Sequence, residues 1–375
     1  MEDTYSCTRI TASMDRVFAK EVLAAAQDIG IPHLNCEMGR SVMLRPVGGF
    51  RKLFLGKNAL LEDPIQIFSF VVPSVQTREL MDFFAVRLRM DIPGRGNLYA
   101  EDIRIPASFL SRPPLPLSLP ESSPQLMASD LMAIRCITQQ GEGNRVAEIG
   151  LRTGTGVPAI TFGTGTGLRN RLGLWRVLIP AEKEITTLVV DEAHGETVMD
   201  RMIQAGALDQ PGKGFISFSP VSMGILNTRF AAGPASQAAS IEQIVAALDE
   251  IRGNTEWRRK SLNPSAKPVL RRFLTGLVNF SMICNEGFGE DFTRKAMEAG
   301  AGGATLSLLR HIDLETPQAG VSPAREVSVM TIGEEQVEEV LEALRQAGLF
   351  MEEAAGEVQI SQVPKACTFL GDAGE

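Results

Sequence analysis

Short β-branched runs alternate with amphipathic stretches along most of this chain. Ile185 to Val190 and Val327 to Ile332 read as strands. After the second run, apolar residues at Val337, Val340, Leu341 and Leu344 fall at spacings of three, one and three, which is one face of a helix. Glycines such as Gly206 and Gly348 are placed to stop the helices, since glycine tolerates the left-handed turn at a helix C-terminus. A second strand then closes each half. The grammar strand–helix–strand occurs twice per unit, and it favours a ferredoxin-like βαββαβ plait.

The pattern repeats three times. Residues 65–103 and 183–221 align without a gap, 118 positions apart, and share the string D-x-P-G-[RK]-G: Asp91, Pro93, Gly94, Arg95 and Gly96 against Asp209, Pro211, Gly212, Lys213 and Gly214. A third copy lies 142 positions past the second, with Ala347-Gly348 on Ala205-Gly206 and only Gly356 left of the later loop. Upstream halves begin near Thr8, Cys136 and Ile283, with Gly30, Gly154 and Gly300 in matching places. The expected units are 5–110, 128–225 and 272–366. Two linkers join them, a proline-rich one at 111–127 and a longer one at 226–271 containing the amphipathic stretch SIEQIVAALDEI.

The string EKEITTLVVDEAHGETVMDRMIQAGALDQPGKGFISFSPV resembles the second half of the PII signal-transduction (nitrogen regulatory) family. TGTGVPAITFGTGTG, from Thr153 to Gly167, resembles that family's approach to its long mobile loop. The resemblance implies three ferredoxin-like plaits fused as an intramolecular pseudo-trimer, their sheet faces packed on one another. It implies adenine nucleotides in clefts between units, ATP or ADP with magnesium as an optional companion. It also implies a protein target such as a transporter or metabolic enzyme.

On that resemblance Gly212, Lys213 and Gly214 form a phosphate-binding loop, with Gly94, Arg95 and Gly96 as its first copy. Glycines let backbone amides converge on an anion and the cation neutralises phosphate charge. The alternative is a plain Pro-Gly turn before a strand. Gly163, Thr164 and Gly165 form either a second anion nest or a hinge at the root of a mobile loop. That loop carries Arg169, Arg171 and Arg176; the first unit's loop carries Arg40, Arg45, Arg51, Lys52 and Lys57. The third copy has Ala355 in place of the cation, among Glu352, Glu353 and Glu357, so an empty third site is expected. Arg104, Arg112 and Arg229 are approximate candidates for triphosphate contacts. Tyr5 and Tyr99 lie outside the candidate loops, so tyrosine modification is not expected, and no Gln-Lys-Gly stretch marks a 2-oxoglutarate site.

Composition narrows the classes. With 37 Lys+Arg against 45 Asp+Glu the net charge is −8, which argues against a broad nucleic-acid grip. No long uncharged apolar run suggests a membrane span, and MEDTYSCTRI does not read as a signal peptide. Five scattered cysteines without a C-x-x-C pair suggest reduced thiols and a cytoplasmic setting. His33, His194 and His311 stand far apart, so no metal site is expected. Nucleophile-elbow, zincin and Walker motifs are absent, so no catalytic residues are assigned. Asp191-Glu192 and Glu334-Glu335 read as helix-start acids. The leading reading is a non-catalytic, monomeric sensor reporting a small ligand to a protein partner. The alternatives are a scaffold that has lost its ligand, or a metal-binding module of similar plait.

Overall fold

A computed structural model describes residues 4–46, 58–107, 117, 119–120, 123–166, 181–227, 271–315 and 324–369. The first third runs β1 (Thr4–Asp15), α1 (Ala19–Asp28), β2 (His33–Pro46), β3 (Asn58–Pro73), α2 (Thr77–Arg87) and β4 (Gly96–Pro106). The middle third runs β5 (Leu131–Gln139), α3 (Gly143–Thr153), β6 (Ala159–Thr166), β7 (Glu182–Asp191), α4 (Glu192–Gly206), β8 (Gly214–Val221) and the short β9 (Met223–Ile225). The last third runs β10 (Leu277–Asn285), α5 (Gly289–Glu298), β11 (Ala304–Asp313), β12 (Ala324–Gly333), α6 (Val337–Gln346), β13 (Glu357–Val363) and the short β14 (Lys365–Thr368).

The strands join edge to edge in one antiparallel sheet, ordered β11-β12-β10-β13-β4-β1-β3-β2-β6-β7-β5-β8-β14. Pairing of β11 with β6 closes nine of them, from β11 round to β6, into a barrel. This corrects the expected architecture. The molecule is not three ferredoxin-like plaits stacked face on face as a pseudo-trimer, and the picture of nitrogen regulation that rested on that fold goes with it. The physical reason lies at the strand edges. An isolated sheet leaves a row of unpaired N–H and C=O groups on each edge. Here β2 meets β6 through Arg40↔Ile160, β11 meets β2 through Arg310↔Cys36, and β14 meets β8 through Cys367↔Ile216. Periodicity within a segment does not encode which edges find each other.

Each strand has two faces with different fates. On β1, Ile10, Ala12 and Met14 are buried against Val22 and Ala25 of α1 and Leu80 and Phe84 of α2. On β5, Met132, Ile134 and Cys136 pack on Val146 of α3 and Val198, Met202 and Ile203 of α4. On β10, Val278, Phe280 and Met282 pack on Phe292 of α5 and Val340, Leu341 and Leu344 of α6. The alternate residues face inward and are mostly polar: Arg9, Thr11, Ser13, Arg135, Asn279 and Ser281. They surround a cavity of about 580 Å³ rather than a packed core.

Details at the helix ends shift. Gly206 is the last residue of α4, and Ala207, at φ 51°, makes the left-handed turn assigned to the glycine. Gly348, at φ 89°, turns the chain two residues after α6. Asp191 caps α4, accepting from the Ala193 amide at 2.9 Å. All five cysteines are free and buried. The SIEQIVAALDEI stretch lies outside the described residues. Among the described residues, no helix is long and apolar enough to cross a membrane.

Candidate functional site

The Gly212–Lys213–Gly214 turn lies between α4 and β8. Gly212 adopts φ 70° and Gly214 φ 150°. A Cβ on Gly214 would stand 2.1 Å from the Ile137 carbonyl oxygen, so only glycine fits this crossing. The Gly212 carbonyl accepts from Gln139 Nε2 at 3.1 Å, and the Gly214 carbonyl accepts from Thr368 Oγ1 at 2.8 Å. Both glycines line the cavity, and so do Leu274, Thr368 and Phe369 from the last third. The Lys213 side chain is exposed beside this opening. Three cations line the wall itself, Lys183 of β7 with Arg9 and Arg135, and the motif included none of them.

The first copy of the string has a different setting. Gly94 donates its amide to Asn227 Oδ1 at 3.1 Å, and a Cβ on Gly96 would stand 2.1 Å from the Ser13 carbonyl oxygen. Arg95 lies over the Phe18 ring at 4.0 Å and pairs with Glu21 at 3.3 Å. Its side chain is 14% exposed, and Gly94, Arg95 and Gly96 are not among the cavity-lining residues. The expectation of a phosphate-ready arginine therefore gives way to a half-buried cation held by its own third. In the third copy, Arg325 donates to the Ala355 carbonyl and Gln359 Nε2 donates to Glu357 at 3.1 Å.

Gly163, Thr164 and Gly165 belong to strand β6, not to an anion nest. The Gly165 amide donates to the Ala181 carbonyl at 2.7 Å. A Cβ on Gly163 would meet Ser307 Oγ at 2.8 Å, because β11 crosses here. These glycines serve close strand approach, and Gly165 also lines the cavity. Arg51, Lys52, Lys57, Arg112, Arg169, Arg171, Arg176 and Arg229 lie outside the described residues. Arg40 binds Glu184 at 2.9 Å, Glu62 at 3.3 Å and Asn144 at 3.2 Å, and Arg104 binds Glu334 at 2.6 Å.

Deeper in the barrel, chain topology assembles charges that no motif suggested. Glu101 on β4 is 1% exposed and takes Arg9 Nη2 at 2.9 Å on one oxygen and Arg135 Nη2 on the other. Arg9 also donates to Gln359 Oε1 at 3.3 Å, so all three thirds meet at this point. Burial alone would raise the Glu101 carboxyl, but the two guanidinium charges and their hydrogen bonds hold it at about 2. Glu37 on β2 lines the same cavity without an arginine; burial raises it to about 7, against a hydrogen bond from Thr161 that acts the other way. Elsewhere, the topology brings His33 and His311 to 5.2 Å between ring centroids, and burial, then the neighbouring His33, lowers His311 to about 4. Among the described residues no cluster of three or more potential metal ligands forms.

No family model matches the chain, and no curated protein matches it either. Among solved structures it is similar to an aspartate kinase from Synechocystis, at 8% identity and a TM-score of 0.21, over 95% of this chain and 44% of that one. A mutant chlorite dismutase from Candidatus Nitrospira defluvii gives 11% identity and a TM-score of 0.15, over 63% of this chain and 92% of that one. This chain thus spans less than half of the kinase, and likenesses this slight carry no argument about fold or activity.

Proposed function

We propose that this chain is a non-catalytic sensor that takes a small phosphate-bearing ligand at the Gly212–Gly214 end of the cavity and signals its presence to a protein partner. The resemblance in the middle third suggests an adenine nucleotide. One observation carries the reading: a tight turn with an obligate glycine, Gly214, borders a cavity that also displays Lys183 and is lined by residues from another third of the chain. A ligand bridging such parts couples its own binding to their relative position, which is what a reporter requires. Lys213, exposed at the mouth, supplies a charge for the phosphate end. Phe215 and Phe369 line the same space and offer ring faces to a base.

Titration calorimetry of the full chain with ATP, ADP and AMP, each with and without magnesium, tests this. Binding of at least one of them, weakened by Lys213→Ala and by Lys183→Ala, is the expected result. A native chain that binds none of the three ends the nucleotide reading.

A further inference from the structure

The wall of the cavity, to which β5 and β7 contribute alongside the barrel strands, mixes groups that a packed core excludes. Arg9, Glu101, Arg135 and Asn279 share it with Ile137 and Ile185. The space they enclose, about 580 Å³, is many times that of one water. Buried polar groups are stable only when their hydrogen bonds are met. Most are met here, but Arg135 Nη1 is a buried donor without an acceptor. Arg135 gives its other terminal nitrogen to Glu101 and keeps 18% of its side chain open.

The charges define what is missing. Arg9 and Arg135 face a single carboxylate, Glu101, so the group retains one positive charge. A monoanion cancels it. Carboxylate is the oxygen pair that fits a guanidinium edge. Ile137 lies two residues from Arg135 on the same face of β5, and Ile185 is its cross-strand partner on β7. An inorganic oxyanion would place its hydration shell against these chains, whereas an alkyl group would bury them. Thr368 and Phe369 line the same cavity, and Phe369 is 40% exposed, so the space reaches the surface.

We propose that this cavity is a binding site for a short-chain organic monocarboxylate, its carboxylate on Arg135 beside Arg9 and its alkyl part against Ile137 and Ile185. This site shares its cavity with the Gly212–Gly214 turn, since Ile137 pairs with Phe215 across the strands, but its recognition of a carboxylate does not depend on nucleotide binding there. Calorimetric titration of the full chain with butyrate, acetate and inorganic phosphate reads it directly. Butyrate is expected to bind about tenfold more tightly than acetate, through its two extra methylenes, and phosphate more weakly than either. Arg135→Lys should weaken butyrate at least tenfold, while Arg152→Ala, on the outer surface of α3, leaves it unchanged. If Arg135→Lys does not fold, NMR of the native chain decides: contacts from butyrate methyl protons to the methyls of Ile137 and Ile185 are expected. Absence of butyrate binding, phosphate binding more tightly than butyrate, unaltered affinity in Arg135→Lys, or butyrate contacts confined to other residues would overturn the assignment.

Discussion

The turns at Gly94–Gly96 and Gly212–Gly214 carry the same string and nearly the same backbone, yet they present opposite chemistry. Each ends on a glycine at large positive φ, Gly96 at 136° and Gly214 at 150°, pressed 2.1 Å (as a hypothetical Cβ) from a carbonyl of the neighbouring strand. The cation between the glycines differs in its fate. Arg95 is folded back onto Phe18 and Glu21, while Lys213 is left exposed at the mouth of the cavity. Local spacing dictates the turn; the neighbours supplied by the rest of the fold decide whether its charge is available.

The largest test addresses what the two turns share. Gly96→Ala and Gly214→Ala should each cost roughly 2–4 kcal/mol of unfolding free energy, through positive φ and a clash with backbone. Urea unfolding monitored by circular dichroism measures this. A pair of values differing by more than half would show that the turns are not structural equivalents.

The contrast between captured and open charge recurs in the lumen, where Glu101 is held by two arginines and Glu37 by none. The folded-state carboxyl of Glu101 is lowered from 4.5 to about 2, so its contribution is present above pH 4.5 and is lost as pH falls towards 2. That contribution is about 3 kcal/mol. Glu37 is raised from 4.5 to about 7, so it acts in the opposite sense. Its folded form holds a proton that the unfolded chain has released, and stability falls as pH rises from about 4.5 to 7. Glu101→Gln should flatten the acid limb of a stability–pH curve, and Glu37→Gln should flatten the limb approaching neutrality. Unchanged limbs in both variants would show that these carboxyls are not held as described.

Lys213→Ala should weaken nucleotide binding by about 1.5–3 kcal/mol, the scale of a charge-assisted hydrogen bond, with melting temperature unchanged. Arg95→Ala should do the reverse. Nucleotide affinity stays constant while stability drops by about 1 kcal/mol, the sum of a cation–π contact and a partly exposed ion pair. Only the middle turn offers an open cation at the cavity, so the expected stoichiometry is one nucleotide per chain. Two or three equivalents in the titration would mean that other groups rebuild the sites at Arg95 and Ala355.

Several features are legible in the sequence. The runs Ile185–Val190 and Val327–Ile332 lie within strands β7 and β12, and Val337, Val340, Leu341 and Leu344 are all buried on one face of α6. Asp191 caps a helix, as an acid at a helix start should. The glycines of β6 were readable as glycines but not as strand. Nothing near Gly163 in the chain announces that Ser307, well over 100 residues later, crosses above it. Lys183 escaped notice because a single lysine in a strand is indistinguishable from any surface cation until its neighbours are known.

By itself the sequence determined the order of strands and helices, the threefold recurrence and the two glycine-bound turns, since each depends on interactions among residues close along the chain. The closed barrel, its polar lumen and the meeting of Arg9, Glu101, Arg135 and Gln359 were decided only by tertiary structure. Strand edges pair with whichever edge the rest of the chain brings alongside, and charges from β1, β4 and β5 interact strongly only once the wall they share has excluded water.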